Sequence, residues 1–404
     1  MTLPPLTPEQ SIKPPRYELR MSLLFAAIFL PIGIHLPYFP LWLEGEGFSP
    51  GEIAVILSAP IFLRVFAMPV AAALADKAGD RAHVLIGLAA ATLLLSLGYF
   101  LPARATTVLV VSLALAIAWS PHGPIADSLA ISGVRRFAAD YSRMRIWGSI
   151  AFLLANLAGG VVLARYGAGV VPWLISGGLV VTCAAALWSP RLGRPRRPSQ
   201  LSAVDLPLAG RVLSDPYFLT IAIGCGIVSA SHGFLYAFGS IYWKGLGIDA
   251  DMVGLLWAVS IVAEVALFFA FRPLFGRMSA PTILLVASLA SVLRWVAMPF
   301  LWQAGLGVPG FAAVQVLHAF STGLTMLGLQ RMIAETVPED RMGAAQGVAV
   351  FASGAGMAAV TLASGPLYIA WGAGGFLVMA TIGLVGAGLA KAAARLAPKG
   401  GLGR

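Results

Sequence analysis

Nine ionisable side chains lie in or at the edge of stretches otherwise built from apolar residues: His35, Arg64, His122, Asp127, Arg145, His232, Glu264, Arg294 and His318. An isolated charge in hydrocarbon costs about 2.5–3.5 kcal/mol even on lenient scales, so each of these must face a cavity or a partner. Their types limit what they can do. An arginine fork holds a carboxylate through paired N–H bonds. Aspartate, glutamate and imidazole exchange protons, imidazole near neutrality. No nucleophile motif, no His/Asp metal spacing and no Gly-x-x-x-x-Gly-Lys phosphate loop accompanies them. Cys183 and Cys225 sit in apolar runs and imply neither a disulfide framework nor a metal site. The expectation is a binding role for these residues, with no catalytic residue, metal or cofactor, and no enzyme.

Spacing groups these residues. Arg145, Ser149, Phe152 and Asn156 project within about 60° on a helix, a polar stripe carrying one aromatic. Gln315, His318, Thr322 and Thr325 form a second stripe, and Trp257 lies two turns from Glu264 on the same face. Asp127 ends one apolar stretch and Arg145 opens the next, so antiparallel neighbours are expected to pair them. Arg64 and Arg294 are candidate carboxylate ligands. Trp42, Trp119, Trp147, Phe152, Tyr236, Trp257 and Trp295 are candidate covers for a ring, with Phe152 and Trp257 favoured. His35, His122, His232, Asn156 and Gln315 complete the cavity candidates.

The elements that carry them are membrane spans. The chain is 59% hydrophobic and 11% charged, against roughly 25% charged for soluble domains. About 20 apolar residues cross a bilayer core. Twelve stretches qualify, near 19–42, 51–74, 83–102, 107–131, 144–165, 169–189, 216–242, 252–272, 281–302, 309–334, 342–364 and 369–391. Residues 1–18 read as a disordered tail, and no A-x-A-like cleavage site follows, so no signal peptide is expected. A basic, proline-containing segment over 190–215 separates two six-helix bundles, 19–189 and 216–391, and 392–404 forms a second tail.

Lysine and arginine set the orientation. Even-numbered loops and both termini hold 22 of them, whereas the odd-numbered loops hold only Arg104, Arg165 and Lys244. By the positive-inside rule both termini are cytoplasmic. The same asymmetry accounts for most of the +10 net charge, so the bilayer is the expected partner and nucleic acid is not. The halves repeat: a shift of 200 residues lays GEGFSPGEI on GLGIDADMV without gaps and sets Arg64 opposite Glu264. Parallel repeats of this kind place a site at the midplane between them.

The loop ALADKAGDRAHV resembles the major facilitator signature Gly-x-Leu-Ala-Asp-Arg-x-Gly-Arg-Arg. Leu74, Ala75, Asp76, Gly79 and Arg81 match in place, Ala72 replaces the first glycine, and Asp80 replaces a basic residue. Asp76, Gly79 and Arg81 are thereby candidate gating residues. The interior residues resemble the lactose permease branch of proton symporters. That resemblance implies substrate binding at Asp127, Arg145 and Phe152, and proton coupling through Glu264, Arg294 and His318. Ser321 stands where that branch carries its proton-bearing acid, a turn after the histidine. The runs SIYWKGLGIDADMVGLLWAVSIVAEV, RIWGSIAF and QVLHAFSTG are similar to the phenylpropionate permease group, over about 19–390. The resemblance implies a monomeric bacterial inner-membrane permease that imports an aromatic carboxylate with a proton. A sugar or nucleoside symporter is the alternative, and so is a drug–proton exporter. The proline-free fifth span and Asp127 in the fourth count against export.

Overall fold

The structure is a computed structural model that describes residues 8–193, 214–337 and 342–397. Among them there is helix and no strand. The helices are α1 (Tyr17–Gly45), α2 (Pro50–Lys77), α3 (Arg81–Ser96), α4 (Ala105–Trp119), α5 (His122–Phe137), α6 (Tyr141–Tyr166) and α7 (Val171–Trp188). They continue with α8 (Pro216–Ala230), α9 (Gly233–Gly245), α10 (Ala250–Phe275), α11 (Ala280–Ala297), α12 (Gly307–His318), α13 (Thr325–Thr336), α14 (Met342–Trp371) and α15 (Gly375–Leu396). Most of the separating linker, 194–213, and the end of the second tail lie outside the described residues. Within the first tail, Pro8–Ser11 forms one helical turn where disorder was expected.

Among the described residues, eleven helical runs are long and apolar enough to cross a membrane. The last, Ala345–Leu396, has 52 residues, about 78 Å at 1.5 Å per residue, far more than one ~30 Å hydrocarbon core. A short 3-10 turn, Gly372–Gly374, interrupts it, with Gly372 at φ 51. Glycine takes that backbone without the strain a side chain would bring.

Caps begin the helices where the chain turns. Ser49 and Glu52 form a reciprocal capping box ahead of α2. Asp80, Asp140, Asp215 and Ser279 accept backbone N–H bonds at the starts of α3, α6, α8 and α11.

By their contacts the residues fall into two units. One is Met1–Glu46 with Leu63–Ala203, the other Gly47–Phe62 with Val204–Arg404. The first half of α2 therefore groups with the second unit, although the sequence expectation placed all of 19–189 in one bundle. In unit one, α1 lies along α6 and α7. A Cβ on Gly33 would stand 2.5 Å from the Phe152 carbonyl oxygen, so these backbones approach closely, as small residues permit in membrane helix packing. In unit two, α11 packs on α15, and α8 on α14 and α15.

Three spans are broken near their middles. Ser120 and Pro121 separate α4 from α5, and Pro121 has no N–H to give the Ile117 carbonyl. Ser231 and His232 separate α8 from α9. A π-helical turn, Ala319–Leu324, joins α12 to α13; such turns widen a helix and recur at functional sites.

Candidate functional site

Four of the five histidines lie on the first, fourth, seventh and tenth of these runs, three of them at the breaks. His122 opens α5, His232 sits in the α8/α9 break, and His318 ends α12. His35 lies in the unbroken α1.

In unit two, His318 is the centre of a bonded cluster. The Arg294 guanidinium, on α11, approaches His318 Nδ1 at 2.9 Å through one terminal nitrogen and donates to Gln315 Oε1 at 2.5 Å through the other. Gln315 donates to the Leu256 carbonyl at 3.1 Å, which fixes which way its amide points. His318 Nε2 faces Glu264 Oε2 at 3.5 Å. Arginine is a donor only, so His318 Nδ1 is the bare nitrogen and Nε2 carries the hydrogen towards Glu264. Glu264 and Arg294 form no direct ion pair among the described residues; the imidazole stands between them. Arg294, Gln315 and Ser321 have no solvent-exposed surface. Glu264, with 23% of its side chain exposed, is where the cluster reaches the surface.

His232 adjoins this cluster. Its Nδ1 faces the carbonyls of Val228 (3.1 Å) and Ser229 (3.2 Å), while its Nε2 faces Ser321 Oγ (2.9 Å) and Thr322 Oγ1 (3.1 Å). Carbonyls only accept, so Nδ1 carries the hydrogen and Nε2 receives from the hydroxyls. The His232 ring meets Trp295 and His318 edge-on at 5.0 and 5.5 Å. Trp257 is buried, donates to Ser240 Oγ at 2.9 Å and stacks on Tyr236 at 5.8 Å.

Periodicity identifies the face of α10 that carries this chemistry. Leu255, Val262 and Phe269 are exposed apolar residues seven apart, while Trp257 and Glu264 follow two residues later. At 100° per residue the two stripes lie about 160° apart.

Unit one is arranged differently. Arg64 is exposed, two residues from exposed Phe62 and from exposed Phe66, and so about 160° from each on α2. It has no hydrogen bond or ion pair among the described residues, and its electrostatic neighbour is His35. His35 stacks on Phe39 at 4.5 Å and meets Trp119 edge-on at 5.4 Å. His122 Nε2 lies 3.3 Å from Thr92 Oγ1, whose hydroxyl donates to Leu88 O. Among the described residues, His122 Nδ1 and Trp119 Nε1 make no hydrogen bond.

Asp127 and Arg145, expected to pair, form no ion pair within 4.0 Å among the described residues. Tyr141 intervenes: its hydroxyl donates to Asp127 Oδ1 at 2.9 Å, and its phenol feels both charges. The Arg145 guanidinium lies over Phe29 at 4.1 Å and Phe25 at 5.7 Å. Sequence reasoning missed Tyr141, although it lies four residues before Arg145 and hence on the same helix face. Phe152 is buried. Asn156 is tied to α1, accepting from the Tyr38 hydroxyl through its backbone carbonyl at 2.6 Å and its side chain at 3.1 Å.

In the loop between α2 and α3, Asp76 accepts from Arg81 at 2.9 and 2.5 Å. Asp80, the departure from the signature, accepts from Ala82 N and from Gly193 N, both at 2.8 Å. It therefore caps α3 and holds the segment after α7. Gly79 has open space beside it, and nothing in the structure explains a requirement for glycine there. Among the described residues no three His, Cys, Asp or Glu gather as metal ligands.

A family model described as MFS_1 like family matches residues 18–378. The chain is 28% identical over 364 residues to a probable 3-phenylpropionic acid transporter of Escherichia coli, covering 90% of this chain and 94% of the relative. It is 27% identical over 289 residues to a maltose permease of Geobacillus stearothermophilus, covering 69% and 71%. The solved nucleoside transporter NupG superposes with a TM-score of 0.75 at 16% identity, covering 94% of this chain and 99% of that one, a likeness of fold.

Proposed function

We propose that this chain, which belongs to the MFS_1 like family of major facilitator transporters, imports a small aromatic carboxylate together with a proton. It is a transporter and not an enzyme; substrate, coupling and direction are the proposal. The observation that carries it is Arg64: an exposed cation without a bonding partner among the described residues, on the α2 face opposite the apolar stripe. A guanidinium in that state gains most from an anion that brings two acceptor oxygens. Arg294, by contrast, already has its terminal nitrogens bonded to His318 and Gln315. The similarity to a probable 3-phenylpropionic acid transporter supports an aromatic acid, and the half-buried Trp119 ring lies in the same unit as Arg64.

For the proton, the Glu264–His318 pair is the proposed seat. Glu264 is the exposed member of an otherwise buried cluster, and while Arg294 donates to Nδ1 the imidazole has no free lone pair. Glu264 therefore receives the proton first. The 52-residue terminal run is proposed to cross twice, turning at Gly372–Gly374, which gives twelve spans. With the Lys/Arg asymmetry this sets both termini in the cytoplasm of a bacterial inner-membrane monomer. Asp76 and Arg81 are the proposed cytoplasmic latch.

Asp127 favours a second reading. Its carboxylate is held by a phenol instead of a cation, and it could accept from the hydroxyls of a sugar or nucleoside. Counterflow in proteoliposomes separates the two. Loaded 3-phenylpropionate should drive accumulation of labelled 3-phenylpropionate, with maltose and uridine inert. Arg64→Leu should abolish acid exchange. Exchange of maltose or uridine in its place would establish the second reading, and an unchanged Arg64→Leu would remove the carboxylate role.

A further inference from the structure

Ser321 leaves the tenth run without the acid that its resemblance leads one to expect, and the polar groups around it form a continuous path. Thr322 Oγ1 lies 3.1 Å from His232 Nε2 and 3.4 Å from His318 Nδ1. Donor and acceptor accounting shows both of these nitrogens to be bare: His232 Nδ1 is engaged by two carbonyls, and His318 Nδ1 faces a donor-only guanidinium. A single hydroxyl therefore stands between two imidazole lone pairs and can donate to only one of them. On the far side of His318, Nε2–H faces Glu264 at 3.5 Å. The π turn is what places Ser321 and Thr322 together against His232.

We propose that His232, Thr322, His318 and Glu264 form a one-proton relay, with His232 the inner resting place that substitutes for the missing acid. This rests on the proton-coupled reading above. The transfer balances without a co-reactant. A proton on His232 Nε2 passes to the Thr322 oxygen as the Thr322 hydroxyl proton passes to His318 Nδ1. The hydrogen on His318 Nε2 then passes to the Glu264 carboxylate. One proton has moved from imidazole to carboxylate, and His318 has exchanged its tautomer. The reverse sequence loads His232 from Glu264.

Arg294 gates the relay. While its guanidinium donates to His318 Nδ1, that nitrogen cannot take the Thr322 proton, and the tautomer is locked. Movement of Arg294 by a fraction of its 2.9 Å contact opens the path. The charged and titratable groups facing His232 are consistent with a site that holds a proton only transiently. Arg294 from α11 opposes a second positive charge at His232, beside which stand His318 and the Tyr236 phenol; Glu264 from α10 faces His318 instead, at the far end of the relay. Trp295 and Ser321 close the remaining sides without charge.

Thr322→Val tests the relay, because it keeps the shape and removes the hydroxyl. In proteoliposomes with an imposed pH gradient, it should lower uphill 3-phenylpropionate uptake by at least about tenfold, just below the usual range for a positioned proton-transfer group. Exchange of 3-phenylpropionate for itself should stay near the wild-type rate, and Thr322→Ser should restore uphill uptake. Thr322→Val that concentrates the acid as wild type does would overturn the relay, while wild-type alkalinisation of the medium on substrate addition keeps the coupled reading. Wild type that moves no protons would overturn both. If Thr322→Val loses exchange as well, His232→Asn decides: retention of uphill uptake in that variant removes His232 as the resting place.

Discussion

Around His318, side chains from α10, α11 and α12 bond into one another: Glu264 to His318, His318 to Arg294, Arg294 to Gln315, and Gln315 to the backbone at Leu256. Around His35 the same kinds of residue meet with fewer bonds. Among the described residues Arg64 has no partner, His122 bonds to Thr92 through Nε2 alone, and Trp119 Nε1 makes no hydrogen bond. His35 and His232 lie on the first and seventh helical runs, and His122 and His318 on the fourth and tenth. Imidazoles thus recur on matching runs of the two halves, and their neighbours differ. In the closed cluster each polar side chain already has a partner. An unbonded guanidinium is free to meet an anion arriving from outside.

The largest expected effect breaks the closed cluster. Arg294→Leu strands His318 Nδ1 and Gln315 Oε1 in a buried setting, a loss of about 3–5 kcal/mol for removing one partner of a buried charged network. Arg64→Leu removes an exposed group with no bond to lose and should change stability by less than about 0.5 kcal/mol. Thermal unfolding in detergent measures both. Equal losses would mean that Arg64 is bonded as firmly as Arg294, and the contrast between the units would fail.

Next comes proton coupling. Glu264→Gln keeps the shape of the closed cluster and removes its surface-facing acid. Uphill uptake should fall by about tenfold or more while substrate exchange persists, because exchange needs no net proton release. Asp127→Asn, in the open unit, should leave the pH-gradient dependence intact. If the two variants respond in the reverse order, the proton belongs to unit one.

These residues were legible in the sequence to different degrees. Charges in apolar stretches name themselves, because hydrocarbon tolerates few, and nearly all the residues in both regions carry that signature. Partnerships were less legible. Asp127 and Arg145 read as a pair from adjacency in the chain, yet Tyr141, an ordinary aromatic at a helix start, stands between them. The departure at Asp80 had no visible cause, since its second partner, Gly193, lies far along the chain. The π turn carries no composition signal at all, for AFSTGL reads as ordinary α-helix. The two terminal stretches, 342–364 and 369–391, are separable in the sequence, but the place of the turn at Gly372–Gly374 is not, because hydropathy does not see a glycine at positive φ.

The helix caps offer a smaller version of the same contrast. Asp80 in unit one holds two backbone N–H groups from separate segments at 2.8 Å each. Ser279, at the start of the corresponding helix in unit two, accepts one at 3.4 Å. Asp80→Ala should cost about 1–2 kcal/mol and Ser279→Ala about 0.5 kcal/mol, the upper and lower parts of the range for cap removal. Here unit one is the more tightly bonded. Openness is therefore a property of the region around Arg64 and not of the whole unit. Amide hydrogen exchange at Gly193 should rise in Asp80→Ala alone; no change there would reduce Asp80 to a simple cap.

The smallest effect tests the contrast most directly, because it changes one N–H at a time. Trp257 and Trp119 both present indole N–H groups to the protein interior. Trp257 Nε1 donates to Ser240 at 2.9 Å, whereas Trp119 Nε1 has no bond. Replacing each by phenylalanine keeps an aromatic ring and removes the donor. At position 257 the loss includes a hydrogen bond, about 1 ± 0.5 kcal/mol, and leaves the Ser240 hydroxyl without its donor. At position 119 no bond is lost, and a buried donor that bonds to nothing is removed with its desolvation cost. The smaller ring loses some packing, so the two terms oppose and the net change should lie within about 0.5 kcal/mol of zero. Tryptophan-to-phenylalanine variants at both sites, unfolded side by side in the same detergent, should therefore differ by about 1 kcal/mol. A Trp119→Phe loss as large as that of Trp257→Phe would show that the indole is bonded in the working protein, and that the region around His35 is closed as well.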